Sequence, residues 1–165
     1  MAEGMKAESK IFALSFVWLI AVSVFFMWLG VRMPVDGGRI VAFEEISFDS
    51  ARDMVMSMAL KCMADLSMFL LISLTSRPLI NVFVASAMMA FRGIALGISS
   101  AYCAENAVGA ASVVMIISFA MISALLLIYT LIINRVKSGV AVRVGLYLIA
   151  TGAAVMLRLL PMMLI

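Results

Sequence analysis

Long apolar runs without charge limit what this sequence can fold into. The two clearest extend over residues 11–31 and 107–133, and neither contains Asp, Glu, Lys or Arg. At a helix rise of about 1.5 Å per residue, the first run reaches about 30 Å, the hydrocarbon thickness of a bilayer. Backbone groups in lipid have to satisfy their own hydrogen bonds, which favours helices. The sequence therefore predicts an all-α, polytopic transmembrane helix bundle.

Composition supports this class. Hydrophobic residues make up 66% of the 165 positions and charged residues only 13%, whereas soluble domains contain about 45–50% apolar residues. A water-soluble domain of this size would need a more polar surface. The net charge of +3 does not indicate a nucleic-acid partner, because the basic residues are scattered and most have acidic neighbours. The lipid bilayer is the predicted surrounding.

Polar segments divide the chain, residues 1–165, into about five predicted spans within a single integral membrane domain. The spans are residues 11–31, 51–74, 78–102, 107–133 and 144–165, and residues 32–50 form an external loop. The turns that flank the third span are short, so we expect the second, third and fourth helices to pack as antiparallel hairpins and form the compact body. The first ten residues are predicted as a polar tail.

The distribution of basic residues predicts the orientation. Five spans place the two termini on opposite sides, and the side of the N-terminus then has six basic residues against three in the loops of the other side. Basic residues favour the cytoplasmic side. The prediction is therefore an N-terminus inside, a C-terminus outside and an acid-rich first loop that faces out.

Four charged residues lie well inside the predicted spans, away from the helix ends: Lys61, Asp65, Arg92 and Arg158. Each costs about 2.5–3.5 kcal/mol at mid-bilayer unless it finds a partner or water. Counted from the outer helix ends, Asp65 lies about 18 Å deep and Arg92 about 15 Å deep. We therefore expect these two to pair, with Lys61, one turn from Asp65, sharing the carboxylate. Arg158 is expected to extend outward to the interface.

Two interpretations of these charges are open. One is a polar pathway for an ion or a small solute, and the other is a structural ion pair that fixes the register of the helices. The structural interpretation is favoured, because three bases accompany one acid and no second acid is present for a proton relay.

A GxxxG motif lies in the third predicted helix. Gly93 and Gly97 stand four residues apart, and Ala101 follows one turn later. Small residues at this spacing let two helices approach closely. We predict packing within the fold, against the small residues at positions 109–112, with a homo-oligomer contact as the alternative.

No pattern in the sequence indicates catalysis or a cofactor. The chain has no histidine, and its two cysteines, Cys62 and Cys103, lie within or at the edge of apolar runs, where they are expected to behave as small buried hydrophobic residues. Phosphate loops, dinucleotide fingerprints and zinc spacings are absent from the sequence. The prediction is a protein that is not an enzyme and that uses no metal and no cofactor.

The order of elements and one motif resemble the stage II sporulation protein M family. The motif lies in SRPLINVFVASAMMAFRGIALGISSAY, residues 76–102, where a proline follows a helix break and an apolar run leads to F-R-G-x-x-L-G. The matching positions are Pro78, Phe91, Arg92, Gly93, Leu96 and Gly97.

This resemblance implies a non-enzymatic membrane scaffold in the bacterial cytoplasmic membrane, which holds partner proteins such as cell-wall hydrolases. By analogy, the external loop would be the partner-facing surface, with Arg39, Glu44, Glu45 and Asp49 as its charged residues. The alternative is a small transporter or permease subunit, in which the charges within the spans line a site for an anionic or zwitterionic solute.

Overall fold

All the regular structure that the computed structural model describes is α-helical. It describes residues 2–33, 51–75, 77–105, 110–136 and 139–159, and the helices in these ranges are α1 (Ala2–Arg32), α2 (Ala51–Leu74), α3 (Pro78–Glu105), α4 (Ala110–Arg135) and α5 (Val140–Leu159). The predicted all-α class is confirmed.

Four segments are long and apolar enough to cross a membrane. They are Lys10–Arg32, Pro78–Glu105, Ile116–Arg135 and Val140–Leu159. The remaining helix, α2, is the least apolar of the five described helices and contains Lys61 and Asp65. The chain is therefore a candidate membrane protein with at least four helices suited to lipid.

Four described helices extend beyond the predicted spans, among them α3, which continues to Glu105. The helix α1 begins at Ala2, so the expected polar tail is mostly helical. The helix α5 begins at Val140, one turn before the expected start, and α4 continues to Arg135. A helix can continue past the hydrocarbon boundary because charged side chains there reach water, so the end of an apolar run does not mark the end of the helix. Residues 34–50 and 160–165 lie outside the described part.

The most extensive helix contact joins α1 to α3. A Cβ at Gly93 would lie 2.8 Å from the carbonyl oxygen of Ser23, and one at Gly97 would collide with the carbonyl oxygen of Met27. Glycine therefore allows the two backbones to touch. Trp18 also donates from Nε1 to Ser86 Oγ, 3.0 Å away.

This contact corrects the expected arrangement of the bundle. The helices α2, α3 and α4 do not form the compact body alone, since the contact of α2 with α5 is more extensive than its contact with α3. The side chains at positions 109–112, expected to face the GxxxG motif, lie outside the described part of the structure, and the described atoms nearest to Gly93 and Gly97 belong to α1. The physical reason is that close backbone packing at Gly93 and Gly97 outweighs the proximity that a short turn provides.

Contacts at the ends fix the helix directions. Trp18 of α1 meets Ser86 of α3, and Met27 further along α1 meets Gly97 further along α3, so these two helices run parallel. The Arg135 guanidinium of α4 lies 5.1 Å from the centroid of the Phe12 ring of α1, so α4 runs the opposite way. The helix α2 runs with α4, because Asp65 of α2 lies against Arg92 near the middle of α3 while Thr75, after its end, lies against Asn81 near the start of α3.

Buried apolar side chains fill the centre of the bundle, and large apolar side chains also cover its outside. Phe69, Ile72, Ile122 and Leu126 are almost fully buried. On the outside, Leu79 is 82% exposed. A surface of this kind suits lipid, since soluble proteins rarely expose large contiguous apolar areas.

Candidate functional site

A single carboxylate joins two arginines in the interior of the bundle. Arg92 donates from Nη1 to Oδ1 of Asp65 at 2.8 Å, and Arg158 donates from Nε to Oδ2 at 2.9 Å. Only 3%, 3% and 9% of the side-chain surfaces of Asp65, Arg92 and Arg158 are exposed. We call these three residues the Asp65 cluster.

The helix α4 completes the surroundings of the cluster. Arg92 donates from Nε to Ser123 Oγ at 2.8 Å and from Nη2 to the carbonyl oxygen of Phe119 at 3.4 Å. Its guanidinium lies 4.2 Å from the centroid of the Phe119 ring, and that of Arg158 lies 5.5 Å from the same ring. Aromatic faces attract cations, so the cluster ties together α2, α3, α4 and α5.

Side-chain direction explains how the three groups meet. Measured from the turn between α2 and α3, Asp65 lies about 14 Å along the bundle and Arg92 about 21 Å. Side chains on a helix point back toward its N-terminus. The arginine therefore reaches toward the turn and the aspartate away from it, and the two close the gap between their levels.

The same geometry corrects the expectation for Arg158. It does not extend outward to the interface but binds Asp65. Arg158 lies near the described end of α5, which runs parallel to α3, so its side chain also points back into the bundle. An outward direction would oppose the normal orientation of the Cα–Cβ bond.

Of the other predicted site residues, the structure describes Lys61 and Ala101 but not the four residues of the external loop. Lys61 is buried one turn from Asp65 on α2, with 8% of its surface exposed, and Ala101 is half-buried one turn beyond Gly97 on α3. The partner-facing residues Arg39, Glu44, Glu45 and Asp49 lie outside the described residues.

Neither cysteine is in a disulfide bond. Both Cys62 and Cys103 are partly rather than fully buried. Among the described residues, no three His, Cys, Asp or Glu side chains are grouped so that they would hold a metal ion.

A second polar layer, which the sequence reasoning missed, lies at the turn end of the bundle. Asn81 donates from Nδ2 to Asn134 Oδ1 at 2.8 Å and to the carbonyl oxygen of Thr75 at 3.1 Å. Arg143 donates from Nη1 to the same carbonyl at 3.3 Å. These donors satisfy a backbone oxygen exposed by the end of α2. The available signal was an asparagine in an otherwise apolar helix, because such residues often bond across helices in membranes.

Ser73 on α2 also hydrogen-bonds to Tyr129 on α4. Polar contacts between the described helices therefore include the Asn81 layer, the Ser73–Tyr129 pair, the Asp65 cluster and the bond from Trp18 to Ser86.

Comparisons with protein-family models, characterised proteins and solved structures return no match to this chain. Both oxygens of Asp65 accept hydrogen bonds from arginines, and these arginines belong to two other helices. The arrangement is suited to joining helices.

Proposed function

We propose that this protein is a non-enzymatic multi-pass membrane scaffold of the bacterial cytoplasmic membrane, which holds partner proteins, among them cell-wall hydrolases. The observation that carries the proposal is that Asp65 gives both its oxygens to arginines of two other helices. The two buried ion pairs of Asp65 thus join helices of the described bundle. The resemblance of residues 76–102 to the stage II sporulation protein M family supplies the class of partner.

We propose five membrane-spanning helices, which are α2 and the four helices that contain the apolar segments described above. Since α1 and α3 run parallel, the chain has to return across the membrane between them. The helix α2 runs in the required direction. Its carboxylate at Asp65 is compensated by two arginines, which lowers the cost of a charge in lipid.

Orientation follows from the basic residues. In the proposed topology the N-terminus is cytoplasmic and the external loop, residues 32–50, faces out. This loop contains Asp36, Glu44, Glu45 and Asp49 and only two bases. An outward, acid-rich loop is accessible to wall-associated partners and suits a partner with a basic surface.

Crosslinking in native membranes, followed by affinity purification and mass spectrometry, tests the scaffold role. We expect a defined extracytoplasmic protein to be recovered with the wild type and to be lost when Glu44 and Glu45 are both changed to Lys. The matched control is Arg77→Gln on the opposite side, which should leave recovery unchanged. Equal recovery with both variants, or no recovered partner, would overturn the proposal.

A small transporter or permease subunit is the second candidate, and one observation favours it. Within the described part of the chain, Asn81 Oδ1 and Ser118 Oγ are buried without a hydrogen-bond partner. Such atoms are costly and call for an explanation, and a polar route through the bundle is one.

A flux assay separates the two candidates. Reconstituted liposomes should show uptake of an anionic or zwitterionic solute, and the solute should raise the melting temperature of the purified protein, if the protein is a transporter. A scaffold predicts neither effect.

A further inference from the structure

We propose that the groove between the end of α2 and the start of α5 binds one anionic phospholipid from the surrounding leaflet. The groove has a volume of about 470 Å³, within the range of roughly 300–1,000 Å³ that is typical of small-molecule sites. One wall of the groove is apolar and one end is polar, which matches the acyl chain and the headgroup of a lipid.

The apolar wall comes from both helices. Leu70 and Leu74 of α2 face Val140 and Val144 of α5 across the groove. Leu74 is 71% exposed and Val140 is 79% exposed. These side chains therefore offer a hydrocarbon surface that an acyl chain can cover.

The polar end contains Arg143, with Ser73 and Tyr147 beside it. The half-buried Arg143 is held in place by its bond to the carbonyl oxygen of Thr75, 3.3 Å from Nη1. A guanidinium carries five N–H donors in a planar fork that matches the oxygens of a phosphate. A phosphate at this position would contact Arg143, and Tyr147, one turn further along α5, lines the same groove.

Space is available next to the arginine. A Cβ built at Gly139, which lines the groove, would have no atom within 4 Å. The helix α5 begins at the next residue, Val140, and its positive end adds to the potential of Arg143.

Charge complementarity favours an anionic over a zwitterionic lipid. Lys10, Arg77 and Arg135 lie at the same end of the bundle as Arg143. The structure describes the side chains of two acidic residues. Asp65 is bound within its cluster, and Glu105 lies at the end of the bundle opposite to Arg143. In the proposed topology this end has six bases and two acids: Lys6, Lys10, Arg77, Arg135, Lys137 and Arg143 against Glu3 and Glu8. Basic pockets between transmembrane helices bind anionic headgroups.

The test is native mass spectrometry of the full chain in detergent, with phosphatidylglycerol or phosphatidylcholine of the same acyl chains added. We expect one phosphatidylglycerol to bind and the phosphatidylcholine adduct to be much weaker. Arg143→Gln should weaken phosphatidylglycerol binding by about fivefold, the value expected for the loss of one basic contact of about 1 kcal/mol. The matched control, Arg77→Gln, removes an exposed charge outside the groove and should bind as the wild type does.

A second variant keeps the test decisive if Arg143→Gln does not fold. Val144→Trp places a bulky side chain in the groove and keeps the bond from Arg143 to Thr75. This variant should also weaken lipid binding. Equal binding of the two lipids would overturn the proposal, as would equal losses in Arg143→Gln and Arg77→Gln. Glycerol phosphate is added in a separate arm, and if it competes as well as the intact lipid, the occupant is a free phosphate compound. None of these outcomes depends on the scaffold role.

Discussion

Arg158 and Asp65 lie 93 positions apart in the chain, yet Nε of the arginine donates to Oδ2 of the aspartate at 2.9 Å. The contact joins the last described helix, α5, to α2. Since Arg92 already holds Oδ1, the aspartate is the shared member of two ion pairs. This asymmetry predicts an order of mutational effects.

Asp65→Asn is expected to destabilise the protein more than loss of either arginine. The change leaves two buried guanidinium groups without their carboxylate, and removal of one partner of a buried pair costs about 3–5 kcal/mol. Arg158→Gln leaves the pair of Asp65 with Arg92 and should cost less. Unfolding in mixed micelles with increasing SDS gives the free energies.

The double variants provide the control for this order. If the pairs are coupled, Asp65→Asn combined with Arg92→Gln should cost less than the sum of the two single changes. Strictly additive losses, or an Arg158→Gln variant less stable than Asp65→Asn, would contradict the cluster as described.

The sequence could predict one half of this cluster but not the other. Counting residues from the helix ends placed Asp65 and Arg92 at similar depths on hairpin neighbours. The position of Arg158 near a helix end suggested a side chain directed to water. The direction of the side chain along α5 and the packing of α5 on α2 decide the outcome, and neither is apparent from hydropathy.

Gly97→Ala is expected to weaken the contact between α1 and α3. The added methyl group would collide with the carbonyl oxygen of Met27, and overpacking of this kind typically costs about 1–3 kcal/mol. The fluorescence of Trp18 and Trp28, both on α1, should report an earlier transition in SDS titrations.

Gly152→Ala is the matched control for this change. It also adds one methyl group to a helical glycine, but nothing lies within 4 Å of the new atom. Its transition should match that of the wild type or lie slightly later. Since Ala is a better helix former than Gly, an equal loss in both variants would contradict the contact with α1 as the cause.

The fold, like the cluster, was only partly predictable, because the sequence does not show which helices pack against each other. The motif of Gly93 and Gly97 indicated a close helix contact, but the sequence did not reveal its partner. The facing surface on α1 includes Gly30, a single glycine without a motif of its own. Short turns favoured α2 and α4 as neighbours, whereas the backbone fit selected α1.

Asn81→Ala is expected to destabilise the turn end of the bundle by about 1–3 kcal/mol, the usual cost of leaving buried polar groups without partners. The variant loses the bonds to Asn134 and to the carbonyl oxygen of Thr75. Hydrogen exchange should increase first near the end of α2. Ser67→Ala is the control, since that exposed hydroxyl bonds only locally to the carbonyl oxygen of Ala64, and comparable exchange in both variants would contradict the role of Asn81.

Labelling of single cysteines in intact cells tests the proposed fifth span. In a background with Cys62→Ala and Cys103→Ala, a membrane-impermeant maleimide should react with Met33→Cys, after α1, and not with Arg77→Cys, before α3, until the membrane is permeabilised. The reason is that α1 and α3 run parallel, so the end of one and the start of the other lie on opposite sides. If both sites react in intact cells, α2 does not cross the membrane. The chain would then enter α3 from the side on which α1 ends, and the parallel contact of Gly93 and Gly97 with α1 could not form in the bilayer.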